Sequence, residues 1–151
     1  VKNMSMKALV LCAAAGLSIA ACAGKPAETI DFANSCKIEN DAKYVAITGY
    51  LNDGGSIFCS NIGGGPVTCG LMLAETADGV KGRGLKSDID QGSGSNQIEK
   101  FEGSYKKENL RIRDNAGQMV NIGDKVKLTG KFSVTPDASL CFMHADKIEK
   151  Q

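Results

Sequence analysis

The sequence predicts an all-β fold, a small closed β-barrel with one short helix, and a β-sandwich is the alternative that the same pattern leaves open. Two segments, 44–51 and 126–132, alternate apolar and polar residues with the period of a half-buried strand. Both contain a Thr-Gly pair that places a glycine on the apolar face. Glycine weakens the interior of a strand unless the strand coils sharply or another backbone comes close, and small barrels require such coiling. The 18 glycines against 3 prolines also favour turns and bent strands.

The other predicted elements lie between turn-forming residues. A Gly-rich turn at 63–65 and an Asp-Asn-Ala-Gly turn at 114–117 are each expected to close a hairpin. Residues 96–101 are expected to open the short helix, with Ile98 and Phe101 facing inward. The remaining predicted strands are 57–60, 67–75, 84–91, 110–113, 118–121 and 140–149.

One stretch carries a resemblance to a known fold. The sequence IGDKVKLTGKF at 122–132 and the final ADKIEK at 145–150, after the strands and helix above, resemble an OB-fold. The resemblance covers about residues 43–149 and is to the tRNA-anti-like and bacterial periplasmic OB-fold groups, in which a G-D-x-V-x-[V/L]-x-G-x stretch forms the fourth strand. It implies a five-stranded barrel and a binding function. The chain lacks the groove aromatics and net positive charge of members that bind nucleic acid, so no nucleic acid is expected.

The first 21 residues have the pattern of an export signal. Lys2 and Lys7 precede a 14-residue run, 8–21, that is too short to span a bilayer, which needs about 20 residues. The run ends in Ile19-Ala-Ala-Cys22, which resembles a bacterial lipobox, so we expect cleavage before Cys22 and lipidation of that cysteine. An A-x-A cleavage site that releases a soluble protein is the alternative.

This interpretation predicts three regions and a location. Residues 1–21 are the lipoprotein signal peptide, 22–42 are the lipidated cysteine and a tether, and 43–151 are the OB-fold-like domain. Within the tether, Ile30, Phe32 and Cys36 are the residues that can pack on the edge of the domain. We expect the protein to be exported and anchored by lipid to the bacterial membrane, at the periplasmic face of the outer membrane. Removing the signal takes away two lysines and no acidic residue, which leaves 16 basic and 17 acidic side chains. A basic binding surface is therefore not expected.

Four cysteines remain after export and lipidation. An even number in an oxidising compartment predicts two disulfides, for which three connectivities are open. If 63–65 forms the loop of an antiparallel hairpin, Cys59 lies directly opposite Cys69 at disulfide distance. Cys36 and Cys141 would then join the segment before the first strand to the last strand.

The alternative use of these cysteines is a metal site. Cys141, Met143 and His144 offer sulfur and imidazole ligands of the kind that suit copper(I) or zinc, and Cys59 or Cys69 could complete the set. No C-x-x-C motif is present and the chain has one histidine. We therefore expect disulfides, and no resident metal or cofactor.

A few outward side chains are candidates for ligand contact. Tyr44 and Tyr50 flank the first long strand on its outer side, where OB-folds often contact ligands. Arg111 and Arg113 would form a basic stripe with Lys127 if their strands pair. The alternative for all five is a solvated barrel exterior.

Three common catalytic motifs are absent from the sequence. G-x-S-x-G, H-E-x-x-H and a P-loop do not occur, so no enzyme class is supported. The expected function is a non-catalytic, lipid-anchored binding or interaction module of the bacterial cell envelope, with the membrane and an envelope protein or glycan as partners. The second hypothesis is a soft-metal or redox envelope protein that uses Cys141, Met143 and His144. The sequence predicts neither a particular ligand nor an oligomeric state.

Overall fold

Ten strands form most of the regular structure in residues 26–61, 63–79 and 83–151, which are the residues that the computed structural model describes. They are β1 (Glu28–Thr29), β2 (Tyr44–Asn52), β3 (Phe58–Ser60), β4 (Thr68–Ala74), β5 (Gly84–Asp90), β6 (Gln97–Ile98), β7 (Ile112–Arg113), β8 (Met119–Val120), β9 (Lys125–Val134) and β10 (Cys141–Lys150). Within the described ranges, three 3₁₀ turns are the helical elements: Phe32–Asn34, Ile38–Asn40 and Lys107–Asn109. No helix in these ranges has both the length and the apolar character needed to span a membrane.

Five long strands close into a barrel. β2 pairs antiparallel with β9 and with β4, β4 pairs antiparallel with β5, β5 pairs parallel with β10, and β10 returns antiparallel to β9. Each strand therefore has two neighbours in a closed ring, and β1 and β3 extend the sheet beside β2 and β4. The predicted all-β small barrel is confirmed, and the alternative of two stacked sheets is not formed.

The glycines on the apolar faces of β2 and β9 lie where two parts of the backbone approach closely. A Cβ atom on Gly49 would lie 2.7 Å from the carbonyl oxygen of Ala74 and 2.9 Å from the Phe32 ring. No side chain fits at that distance, so only glycine allows β2 to cross here. The interpretation of these glycines as sites of close approach is confirmed.

The short helix expected at 96–101 is wrong. Residues 97–98 form β6, which pairs with β7, and β7 pairs with β8 in a separate three-stranded sheet. The register aligns Ile98, Ile112 and Val120, all fully or almost fully buried, so a strand buries the same apolar residues that suggested a helix face. Asn96 has a φ of 62°, which a right-handed helix does not allow.

In the segment at 22–42 that was predicted to be a tether, residues 28–42 pack on the barrel. Ile30 N donates to Ala46 O (3.0 Å) beside β1, and Phe32 is 6% exposed inside the barrel mouth. Asn40 is buried and donates through Nδ2 to Asn34 O (2.6 Å). Phe32 fills the space above Gly49, which explains why an apolar residue lies in this polar segment. The signal at 1–21 and the lipid site at Cys22 lie outside the described residues.

The described part of the chain contains two disulfides. Cys59 lies opposite Cys69 in the β3–β4 register, their Cα atoms are 4.0 Å apart, and a disulfide joins them. The predicted hairpin register is therefore confirmed. Cys36 is joined to Cys141, with Cα atoms 5.2 Å apart, so the segment across the barrel mouth is tied to the first residue of β10.

Candidate ligand-binding face

Alternate side chains of β4 and β5 point to the core and to the outer surface of the barrel. Leu71 and Leu85 point into the core, whereas Met72 and Lys86 lie opposite each other on the outer side. Gly70 follows the same outward parity and contributes no side chain. A Cβ placed there would lie 3.5 Å from Asp88 Oδ1 and 3.7 Å from Lys86 Cε, so these two side chains lie beside Gly70 at ordinary van der Waals distance.

Three exposed apolar side chains flank this surface. Phe58 of β3, in the connection between β2 and β4, is 77% exposed and lies opposite Gly70. Phe142 of β10 is 40% exposed and lies beside Lys86, and Leu140 in the loop before β10 is 66% exposed. From β3 to β10 the face crosses three strand spacings, about 14 Å. Apolar side chains therefore lie on both sides of the outer surface of β4 and β5. We call this surface, together with Phe58, Leu140 and Phe142, the β4–β5 face.

A groove of about 460 Å³ covers the β3 half of this face. Its apolar lining includes Phe58 and Met72, and its polar lining includes Ser60, Lys86 and Asp88. Its lining on β4 runs from Thr68 to Met72, four residue steps or about 13 Å along the strand. The groove provides both an aromatic ring and hydrogen-bonding groups along this length.

Along β5 this face carries one positive charge, on Lys86, followed by two negative charges, on Asp88 and Asp90. Lys86 and Asp88 have no ion-pair partner among the residues that the structure describes. Asp90 follows on the same side, and its Oδ1 lies 3.5 Å from His144 Nε2 of β10. Two carboxylates on the floor repel a polyanion, so the face is unsuited to a phosphate backbone.

The loop that carries Leu140 is held by its own polar side chains. Asp137 Oδ1 accepts hydrogen bonds from Thr135 Oγ1 (2.6 Å) and Ser139 Oγ (2.8 Å), and these bonds lower the pKa of Asp137 to about 2. Thr135 N donates to Leu140 O (2.9 Å) across the loop. This apolar wall is therefore preorganised.

The loop that leads to Phe58 is fixed at its start. Tyr105 Oη donates to Asp53 Oδ2 (2.6 Å), and Gly55 N donates to Asp53 Oδ1 (2.9 Å). Partial burial opposes ionisation of Asp53, but the hydrogen bonds from Tyr105 and Gly55 outweigh it, so the pKa of Asp53 falls below its ordinary value. Both walls of the face thus rest on ordered loops.

Two of the predicted ligand residues lie on the other side of the barrel. Tyr44 and Lys127 line a separate groove of about 400 Å³ over β2 and β9. Tyr44 Oη donates to Asp146 Oδ1 (2.8 Å), and Lys127 Nζ lies 2.8 Å from Glu149 Oε2. These contacts within the barrel surface occupy their polar groups.

The other three predicted ligand residues are not brought together. Tyr50 lines a third groove, of about 480 Å³, beside β1. Arg113 pairs with Glu99 (2.9 Å), and Arg111 Nη1 donates to the carbonyl oxygen of Glu108 (2.7 Å). Because β7 pairs with β6 and β8 and not with β9, the proposed basic stripe with Lys127 is not formed.

The residues of the alternative metal site are also separated. Cys141 is in a disulfide, the Met143 side chain is fully buried in the core, and His144 points to the outer surface. The other cysteines considered, Cys59 and Cys69, are bonded to each other. The described residues contain no group of three or more His, Cys, Asp or Glu side chains arranged to hold a metal ion.

The aromatic walls of the β4–β5 face were not predicted from the sequence. The signal was available at Phe58, because a pairing that turns Cys59 toward Cys69 on one side must turn Phe58 to the other. In the same way, Phe142 must face outward because its neighbour Met143 faces the core. What the sequence did not reveal is that β10 runs parallel to β5, which brings Phe142 beside Lys86.

In comparisons with protein-family models, with curated proteins and with solved structures, nothing matches this chain.

Proposed function

We propose that the protein is a non-catalytic binding module of the bacterial cell envelope, anchored through a lipid on Cys22, and that the β4–β5 face binds its ligand. One observation carries the proposal. Phe58 is exposed and lines a groove over β4 and β5, and the exposed Phe142 lies beside Lys86 of the same groove, with the exposed Leu140 two residues before it. Exposed apolar side chains that cluster are typical of binding sites, because water contact there is unfavourable until a partner covers them.

The resemblance to OB-folds supports the same face. OB-folds bind their ligands on the outer face of the second and third barrel strands and on the flanking loops. In this barrel those strands are β4 and β5, and the flanking loops carry Phe58 and Leu140. The ligand that fits is an extended segment of an envelope protein or a glycan, since both can combine an apolar surface with groups that hydrogen-bond to Lys86 and Asp88.

The lipid anchor is tested by one substitution. In cells fed a radiolabelled or alkyne-tagged fatty acid, we expect the wild-type protein to take up label and to fractionate with membranes. Cys22→Ala should take up no label, and the protein should appear in the soluble or uncleaved pool. A wild-type protein without label would exclude lipidation.

The binding face is tested by photo-crosslinking in cells. A benzoylphenylalanine at position 58 replaces an aromatic residue on the β4–β5 face, and the same residue at position 44 replaces an aromatic residue on the opposite side of the barrel. We expect a discrete protein or glycan adduct from position 58 and none of that mass from position 44. The adduct at 58 should disappear when Phe142→Ser is added. No adduct at 58, or equal adducts at both positions, would exclude this face.

A further inference from the structure

The N-terminal part of the described chain enters the barrel at one defined place. Pro26 and Ala27 lie over the outer side of β2 and β9, in the groove that Tyr44 also lines. Ala46 and Thr129 form the floor of this groove and are each 5% exposed, although they belong to the outer side of their strands. The entering segment therefore lies beside this groove on the outer surface of β2 and β9.

Three kinds of contact fix this entry point. The β1 backbone pairs with β2, the Phe32 ring is buried in the barrel mouth, and a disulfide joins Cys36 to Cys141. For residues 28–36 to leave the barrel, the β1–β2 pairing would have to break and the Phe32 ring would become exposed. The disulfide would still hold Cys36 to Cys141. The distance from Cys22 to the barrel is thus limited by the length of the chain between Cys22 and Pro26.

That path sets an upper limit on distance. Four residue steps separate Cys22 from Pro26, and a fully extended chain covers about 14 Å in four steps. The acyl chains of a lipidated cysteine lie in the hydrocarbon layer, so Cys22 itself is at the membrane surface. We propose that the outer face of β2 and β9 lies against the lipid headgroups, and that the β4–β5 face points away from the membrane. This inference rests on the proposed lipidation of Cys22.

The charges on the β2–β9 side are compatible with such contact. Lys43 pairs with Glu28 (3.2 Å), and Lys127 and Lys147 both pair with Glu149 (2.8 and 3.1 Å). Lys125 and Lys131, also on the outer side of β9, are in no ion pair among the described residues, so this side carries a small excess of positive charge. This excess favours anionic headgroups only within about a Debye length, so the short connection is the main determinant of the orientation.

The closed strand order places the two faces on opposite sides. In the ring β2, β9, β10, β5, β4, the strand furthest from the β2–β9 pair is β5. Contact of β2 and β9 with headgroups therefore leaves Lys86 and Asp88 of β5 directed toward the aqueous space. A ligand in that space could reach the groove without displacing lipid.

The experiment compares two matched labels on the lipidated protein. Lys131→Cys on β9 and Lys86→Cys on β5 replace the same exposed residue type on opposite sides, and each is labelled with an NBD fluorophore in the oxidised protein. The protein is reconstituted into vesicles of phosphatidylethanolamine and phosphatidylglycerol that contain a headgroup nitroxide lipid. We expect at least threefold stronger quenching at position 131 than at position 86.

A spacer provides the control. Twenty Gly/Ser residues inserted between 25 and 26 lengthen the connection to a coil of about 25–30 Å root-mean-square span, and the quenching difference should then disappear. Flotation with the vesicles is measured in parallel. A protein that does not float lacks the anchor, which overturns both the proposed function and this inference. A protein that floats but shows equal quenching, or stronger quenching at 86, overturns the orientation alone.

Discussion

Gly130 of β9 lies directly opposite Ala145 of β10, at the position where β10 contains a bulge. A Cβ atom on Gly130 would lie 2.7 Å from the Ala145 Cα and would also contact the carbonyl oxygen of His144. The register then shifts between Ala145 and Lys147, so Asp146 is the extra residue of the bulge. The missing side chain lets the two backbones approach, and the bulge increases the local twist, which together help the sheet to close into a barrel.

We therefore expect Gly130→Ala to destabilise the barrel by at least about 2–3 kcal/mol, or to prevent folding, because the new methyl group meets backbone atoms that cannot rotate away. Gly70→Ala is the matched control, since its Cβ would have its nearest contact at 3.5 Å and the backbone there is ordinary strand. Its effect should stay within about 1 kcal/mol. Urea unfolding at equilibrium measures both, and similar midpoints for the two variants would contradict the close approach of β9 and β10.

The barrel could be predicted because its two defining strands repeat one pattern. Gly49 and Gly130 occupy equivalent places in β2 and β9, and both lie where backbones approach. The Cys59–Cys69 register was also accessible, because the length of the Gly-rich turn fixes which residues face each other. These features are local in sequence, so periodicity and turn length were sufficient.

Features that depend on distant pairing were not accessible. The residues at 96–101 were expected to form a helix because Ile98 and Phe101 have helical spacing, but Ile112 and Val120 from later in the chain provide strand partners. Phe32 was expected at most to pack on the edge of the domain, because its neighbours are polar, and only the space above Gly49 explains its burial. Phe142 lies on the β4–β5 face because of the parallel β5–β10 pairing.

The two disulfides should contribute unequally to stability. The Cys36–Cys141 bond closes a sequence separation of 105 residues and the Cys59–Cys69 bond closes one of 10. Because loop-closure entropy grows with the logarithm of loop length, we expect the Cys36→Ala/Cys141→Ala variant to be about 2 kcal/mol less stable than the Cys59→Ala/Cys69→Ala variant. Denaturant unfolding of both double variants measures the difference. The reverse order would show that the short bond stabilises the native hairpin itself.

Ser87 is a buried polar residue whose removal should be favourable. Its side chain is fully buried in the barrel, at the register position of Leu71 and Met143, and its hydroxyl has no hydrogen-bond partner among the described residues. Ser87→Ala removes an unsatisfied group, so we expect the free energy of unfolding to rise by about 0.5–1.5 kcal/mol. Ser133→Ala on the outer side of β9 is the control and should change it by less than about 0.5 kcal/mol. A loss of stability in Ser87→Ala would mean that the hydroxyl has a partner such as an internal water.

The phenol of Tyr44 should titrate late. Partial burial, together with the hydrogen bond to Asp146 and the charge of that carboxylate, raises the pKa of Tyr44 from 10.0 to about 12. In a variant with Tyr50→Phe and Tyr105→Phe, ultraviolet absorbance reports Tyr44 alone, since the chain has three tyrosines. We expect a midpoint near 12, and a lower midpoint after Asp146→Asn because only the effect of burial then remains.

The same shift predicts how stability depends on pH. Between pH 10 and 12 the unfolded chain has released the Tyr44 proton while the folded protein retains it, so the unfolded state binds fewer protons. The free energy of unfolding must then decrease as the pH rises through this window. In the same variant background, Asp146→Asn should make the decrease smaller, whereas Asp137→Asn, in the loop before β10, should leave it unchanged. Equal slopes for the Asp146→Asn protein and its parent would show that the Tyr44–Asp146 hydrogen bond does not hold the proton in solution.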